Sequence, residues 1–243
     1  MPKYFVDSEN IKGNVVSIAG EEAKHILSVM RMSTGDKIVV CDGKNHDFLC
    51  RIAETGKGFL EAEIIERRLC ETEAETEITL FQGLPKSDKM EFIIQKCVEI
   101  GVKRIVPVST ERAVVKIEKG GKEEKKLERW RKIAEAAAKQ SGRGIIPDIS
   151  GVISFSDAVK EASLLENAII PYENEKETGI KDFIKKAKKG SVGIFIGPEG
   201  GFSENEIKTA VENGIVPVTL GKRILRTETA GMVACAIILY ELG

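Results

Sequence analysis

The chain has 243 residues, 37 of them basic and 38 acidic, with 42% apolar content. That length supports one large domain or two smaller ones with a sizeable core. The near-cancellation of charge excludes the strongly basic surface common in nucleic-acid-binding domains, so any RNA or DNA contact falls to a local patch.

Residues 1–70 read as β-rich. Short apolar runs at 15–18, 37–41, 47–52 and 59–65 are separated by Gly, Asp and Asn turns, and Asp42-Gly43 is a hairpin signal. One helix is expected from Glu21 to about Met30, because Ala23, Ile26, Leu27 and Met30 share a face. The pattern is that of a small β-barrel. The acidic stretch around 71–76 then reads as a linker to a second domain over 77–243.

Beyond the linker, strands alternate with helices. Strands are expected at 78–82, 103–108, 167–170, 192–196 and 216–220, and helices at 88–100, 125–140, 181–189, 204–213 and 228–242. Asp88 with Glu91, and Ser203 with Glu206, have the spacing of capping boxes, and Gly101 and Gly214 are helix stops. Residues 119–126, charged and broken by glycine, read as a mobile loop. Alternation of this kind implies an α/β domain whose mostly parallel sheet is covered on both faces.

Five cysteines (Cys41, Cys50, Cys70, Cys97, Cys235) form no Cys-x-x-Cys pair and are accompanied by two histidines, so no metal site is expected. The first residues lack the apolar run of a signal peptide, and the longest apolar run, 232–239, is too short to span a bilayer. The expectation is a soluble, cytoplasmic protein with no membrane partner.

Two loops carry the chemistry. Gly197-Pro198-Glu199-Gly200-Gly201 follows one strand and precedes one helix, where α/β folds bind ligands. It is glycine-rich like a phosphate loop, yet it holds an acid and no Lys. A neutral or cationic ligand suits it better than a nucleoside triphosphate, for example an adenosine bearing a sulfonium; a tight strand-to-helix turn would use the same glycines. The second loop, Leu220-Gly221-Lys222-Arg223-Ile224-Leu225-Arg226, leads to Thr227 and Glu228. Thr227 is placed to cap the last helix, and Arg226 beside a helix N-terminus would stabilise developing negative charge. Tyr172-Glu173, at another strand end, is a candidate third wall. Arg31, Lys86, Lys89, Arg112 and Arg143 are candidate RNA contacts, arginine in particular matching phosphate oxygens with its planar fork.

These stretches in this order carry a resemblance that spans essentially the whole chain. His25 to Arg31 followed by Gly35-Asp36, Lys86-Ser87-Asp88-Lys89-Met90-Glu91, Gln95 to Val102, Glu135 to Arg143, Ile196 to Ser203 and Leu220 to Ala230 resemble the ribosomal RNA small subunit methyltransferase E family, the 16S rRNA uridine N3 methyltransferases of the SPOUT superfamily. The resemblance implies an N-terminal PUA-like barrel and a C-terminal SPOUT α/β domain with a trefoil knot, S-adenosyl-L-methionine as cofactor, a homodimer, and 16S rRNA or the small ribosomal subunit as partner. It implies that Tyr172, Glu173, Gly197, Pro198, Glu199, Gly200, Gly201, Leu220, Gly221, Ile224, Leu225 and Arg226 hold the cofactor. Arg226, Glu228 and Glu173 are then the candidates for charge stabilisation and proton acceptance. Lys3 and Ala113 stand where family members often carry Arg and Ser; Lys keeps the charge of Arg but not its fork. Two other readings remain: a SPOUT enzyme acting on another RNA base or a ribose, and a non-catalytic RNA-binding assembly factor.

Overall fold

The computed structural model describes residues 3–115 and 121–243. They fall into two compact units: residues 1–73 with 138–146, and residues 74–137 with 147–243.

The first unit contains β1 (Lys3–Phe5), β2 (Ile11–Lys12), β3 (Val15–Ala19), α1 (Gly20–Lys24), β4 (Lys37–Cys41), β5 (His46–Gly56) and β6 (Phe59–Leu69). The strands form one sheet in the order β1-β4-β5-β6-β3-β2, antiparallel except where β1 pairs with β4. Alternate residues point to a single core, among them Val16, Ile18, Ile38, Val40, Cys50, Ile52, Leu60 and Ala62, with Ile26 closing it. The expected 21–30 helix is two pieces. α1 gives way to a wider π-turn over His25–Val29, closed by the Met30 amide on the His25 carbonyl, and Arg31 then takes φ 54° and ends it.

Residues 138–146 supply this unit with its buried polar centre. Arg143, 3% exposed, donates to both oxygens of Glu73, at 3.2 Å through Nε and 2.6 Å through Nη2, and the Gly144 amide donates to the same carboxylate at 2.9 Å. Lys3 turns inward too, with Nζ 2.9 Å from Asp47 and 2.9 Å from the Gly142 carbonyl. Burial works against the Lys3 charge, but Asp47 and the neighbouring Cys70 more than offset it and raise its pKa. A Cβ on Gly144 would lie 2.4 Å from that of Cys70, so glycine alone fits there. Arg143, expected at an RNA surface, is therefore corrected to an internal residue: its guanidinium fork is spent on Glu73. All five cysteines are free and buried, and burial pushes the thiols of Cys41 and Cys50 up to about 12 and about 11.

The second unit runs β7 (Glu77–Gly83), α2 (Lys89–Ile100), β8 (Arg104–Ser109), α3 (Gly121–Ser141, grouped here up to Ala137), β9 (Asp148–Ile149), β10 (Ile153–Ser154), α4 (Phe155–Ala162), β11 (Asn167–Pro171), α5 (Ile180–Ile184), β12 (Ser191–Ile196), α6 (Glu204–Glu212), β13 (Val216–Val218) and α7 (Thr227–Leu242). Its sheet is parallel throughout, in the order β10-β8-β7-β12-β11-β13 with β9 beside β8. Buried on both faces, its strands are continuous apolar runs, as in Ile194-Phe195-Ile196. Phe81 and Phe195 stack at 4.5 Å between β7 and β12, and Phe155 and Phe202 extend the cluster. α2 and α7 pack together, and α7 also meets β7 and β12.

Local signals held unevenly. Ser203 and Glu206 form a complete capping box. Asp88 is an N-cap without a side-chain bond: the Glu91 amide donates to the Asp88 carbonyl instead, and the Glu91 carboxylate pairs with Arg129 at 2.7 Å. The 181–189 helix stops at Ile184, since Ile180 and Phe183 are its buried residues and the four lysines beyond offer nothing to the core. Of the loop expected over 119–126, residues 119–120 lie outside the described residues, and α3 already begins at Gly121. The strands and helix between 148 and 162 escaped sequence reading, although Ser154 caps α4 by accepting from the Asp157 amide.

Replacing Arg143 with Met is expected to cost about 3–5 kcal/mol, because it strands the Glu73 carboxylate in the interior. Equilibrium urea unfolding measures this; an unchanged midpoint would show the pair to be dispensable.

Candidate active site

The C-terminal ends of β11, β12 and β13 open on one cavity of about 610 Å³. Its walls include Tyr172 and Glu173 after β11, residues 197–201 after β12, and residues 220–226 between β13 and α7. All twelve residues expected to hold a cofactor line it. Among the expected catalytic residues, Arg226 and Glu173 line it, whereas Glu228 is not part of the wall.

The glycines of the first loop are needed for space and for conformation. Gly201 has φ 66°, and its amide closes a turn on the Pro198 carbonyl at 2.9 Å. A Cβ on it would come 3.1 Å from Glu173, so that carboxylate sits directly over the loop. At the end of β7, a Cβ on Gly83 would come within 2.7 Å of Pro198, which lets the loop settle against the neighbouring strand.

Behind the wall lies a relay that sequence reading missed. Gln82, fully buried, donates from Nε2 to the Gly83 carbonyl at 2.9 Å and to the Thr227 hydroxyl at 3.0 Å. The Thr227 hydroxyl in turn donates to the Gly197 carbonyl at 2.6 Å. Thr227 is thus not the cap of α7; Arg226 occupies that position without a side-chain bond. The available signal was a lone amide in the apolar run Leu80-Phe81-Gln82, where a buried polar side chain needs a partner.

Glu199 does not face the cavity unpaired. Its oxygens accept from the Lys86 amide at 3.2 Å, and Lys89 Nζ lies 2.9 Å away. Burial alone would raise its pKa, but the hydrogen bonds from Lys89 and from backbone amides outweigh that and hold it below the ordinary carboxylate value. Lys89, expected as an RNA contact, is committed to this carboxylate and lines the cavity. Lys86, Arg112 and Arg31 are exposed, with Arg112 donating to the Gly200 carbonyl at 3.2 Å. Lys222, Arg223 and Arg226 are exposed on the cavity wall. Among the described residues there is no His, Cys, Asp and Glu grouping able to hold a metal ion, and no helix long and apolar enough to cross a membrane.

Residues 72–239 match the family described as RNA methyltransferase domain, and residues 18–65 match RNA methyltransferase PUA domain. Ribosomal RNA small subunit methyltransferase E of Bacillus subtilis is 35% identical to the chain, over 99% of this chain and 97% of that relative. The chain belongs to the ribosomal RNA small subunit methyltransferase E family. Two solved structures are similar over nearly the whole chain. The methyltransferase E of Neisseria gonorrhoeae, bound to S-adenosyl methionine, is 34% identical with a TM-score of 0.85, over 98% of this chain and 96% of that one. A methyltransferase of Legionella pneumophila, in complex with the same cofactor, is 31% identical with a TM-score of 0.83, over 97% and 96%.

Two outcomes are expected from this geometry. Thr227→Val should cost about 1–3 kcal/mol by leaving one N–H of the Gln82 amide and the Gly197 carbonyl without a partner, while Thr227→Ser keeps the relay. Thermal melting of the two variants checks it, and equal melting would remove the relay from the account. The second outcome concerns pH. Because the folded-state pKa of Glu199 is depressed, its stabilisation is present above the ordinary value of 4.5 and is lost as pH falls through the folded value. The stability gap between the native chain and Glu199→Gln should be flat from about pH 6 to 9 and close on the acid side. A gap that widened on acidification would contradict it.

Proposed function

We propose that this chain methylates N3 of a uridine in small-subunit 16S rRNA, with S-adenosyl-L-methionine as cofactor. The observation that carries the reading is a cavity walled by three strand-end loops, in a chain of the methyltransferase E family. Its volume of about 610 Å³ suits a ligand of this size. Its glycine loop admits close backbone approach and offers an acid already neutralised by Lys89 rather than a lysine for phosphates. Tyr172, Gly197, Gly201, Leu220, Gly221, Ile224 and Leu225 would hold the cofactor.

When bound, S-adenosylmethionine supplies an electrophilic methyl group on a sulfonium. The chain's own residues prepare the acceptor. The N3 lone pair of uridine is tied up while its proton remains, so a charge stabiliser and a proton acceptor are required. Arg226, on the cavity wall at the start of α7, stabilises the imide anion. Glu173, exposed and set over the glycine loop, accepts the proton. Glu228 is the other candidate acceptor, but Lys89 engages it. The target base must be splayed from its neighbours to enter. Arg31, Lys86 and Arg112, with the PUA unit, would hold the RNA backbone.

The same reading makes the chain a SPOUT enzyme whose C-terminal segment forms a trefoil knot and which works as a cytoplasmic homodimer. α7 supports the dimer. It is apolar nearly all round, and Ala236 and Tyr240 remain exposed on it, a surface suited to a second copy.

The decisive experiment is transfer of labelled methyl from S-adenosylmethionine to small subunits lacking the modification, followed by nucleoside mapping. Label on N3-methyluridine is expected. Label on a ribose or another base would mark a different SPOUT activity, and no transfer with intact RNA binding would mark an assembly factor. Arg226→Ala should lower kcat by about 100-fold or more, the scale of losing one preorganised charge stabiliser.

A further inference from the structure

Lys89 stands at the first position of α2, just past a turn in which Ser87 takes φ 57°. Its ammonium lies between two carboxylates from distant parts of the chain: 2.9 Å from Glu199 of the glycine loop and 3.4 Å from Glu228 in the first turn of α7. The Lys89 side chain is 32% exposed and that of Glu228 16%. Glu228 Oε2 is buried and accepts no hydrogen bond among the described residues, so the ammonium is the charge that compensates it.

We propose that Lys89 is a positioning residue of the cofactor site: one cation that clamps the glycine loop to the start of α7, and not an RNA contact. The inference rests on the cofactor reading above. Three segments meet at this point. The glycine loop is fixed to the entrance of α2 by the Lys86 amide on Glu199, which needs no lysine side chain. Among the described residues the start of α7 has no such backbone tie to α2, and the Lys89 side chain links the two through Glu228. Take the cation away and two carboxylates of like sign face each other with one of them poorly solvated, a combination that drives the two cavity walls apart. The pairing also shifts its members. The Lys89 pKa is raised, chiefly by Glu199 and against its partial burial, while that of Glu199 is lowered.

The two roles for Lys89 separate in one set of measurements. Calorimetric titration with S-adenosylmethionine, and filter binding of 16S rRNA over a range of salt, are performed on the native chain, Lys89→Met, Lys89→Arg and the double variant Lys89→Met with Glu228→Gln. The clamp predicts that Lys89→Met weakens cofactor binding about tenfold, the sum of two partly exposed ion pairs. It predicts an unchanged slope of log K for RNA against log salt. Lys89→Arg should recover most of the cofactor affinity. The double variant should recover part, because it removes the uncompensated carboxylate. In turnover, the loss should appear in the cofactor KM more than in kcat, which a merely structural role would not select. An RNA contact gives the opposite pattern: native cofactor affinity and a salt slope reduced by about one. That result, or native behaviour of Lys89→Met in both assays, overturns the proposal. If Lys89→Met fails to fold, Lys89→Arg and the double variant carry the comparison, and equal cofactor affinity in the native chain and the double variant counts against the clamp. A native chain that does not bind S-adenosylmethionine overturns the cofactor reading first, and this inference with it.

Discussion

The second unit depends on one hydroxyl. Thr227 accepts from Gln82 at the end of β7 and donates to Gly197 at the end of β12, which ties the first residue of α7 to two adjacent strands. A hydroxyl is suited to this because it both accepts and donates at a single atom. Valine has the shape without the polarity. The bond orients the Gly197 peptide, and the glycine loop begins there. The floor of the cavity is thus set from behind by buried hydrogen bonds, while its rim is set from in front by ions. The two kinds of restraint differ in their response to solvent: the buried relay is insulated from salt, and the rim is screened by it.

The rim is where sequence and structure differ most usefully. Lys86, Lys89, Glu199 and Glu228 were each legible as charged residues near strand ends, and each invited a separate role. Their chemistry is collective. The Glu199 carboxylate is answered by a backbone amide and an ammonium from the same helix entrance, so its sign says little about the ligand by itself. The acid in the glycine loop suits a cationic ligand less through its own charge than through the absence of a lysine free to grip phosphate.

Much of the architecture was readable because it is local. The capping box of α6, the stops at Gly101 and Gly214 and the parallel core strands are written in neighbouring residues. The three cavity walls could be found because each is a glycine or proline turn at the end of an apolar run. What was not readable depended on distant partners. Nothing near Arg143 announces Glu73, and nothing near Gln82 announces Thr227; both pairs span more than sixty residues of chain. Arg143 looked like a phosphate contact because an exposed and a buried arginine are spelled alike. Glu91 had the spacing of a capping partner and was taken by Arg129 instead.

The return of residues 138–146 to the first unit has a consequence for how the chain is made. A domain boundary drawn in the acidic stretch after Cys70 would cut off the N-terminal module. Yet Lys3, Cys70 and Glu73 find their partners at Gly142, Arg143 and Gly144. Cut at residue 73, the module would leave the Glu73 carboxylate without Arg143 and the Gly144 amide, and Lys3 without the Gly142 carbonyl. On the ribosome the same dependence imposes an order. The sheet of the first unit emerges early but must wait through β7, α2, β8 and most of α3 before its polar centre can close. The N-terminal unit is thus begun first and completed only after much of the second has been synthesised.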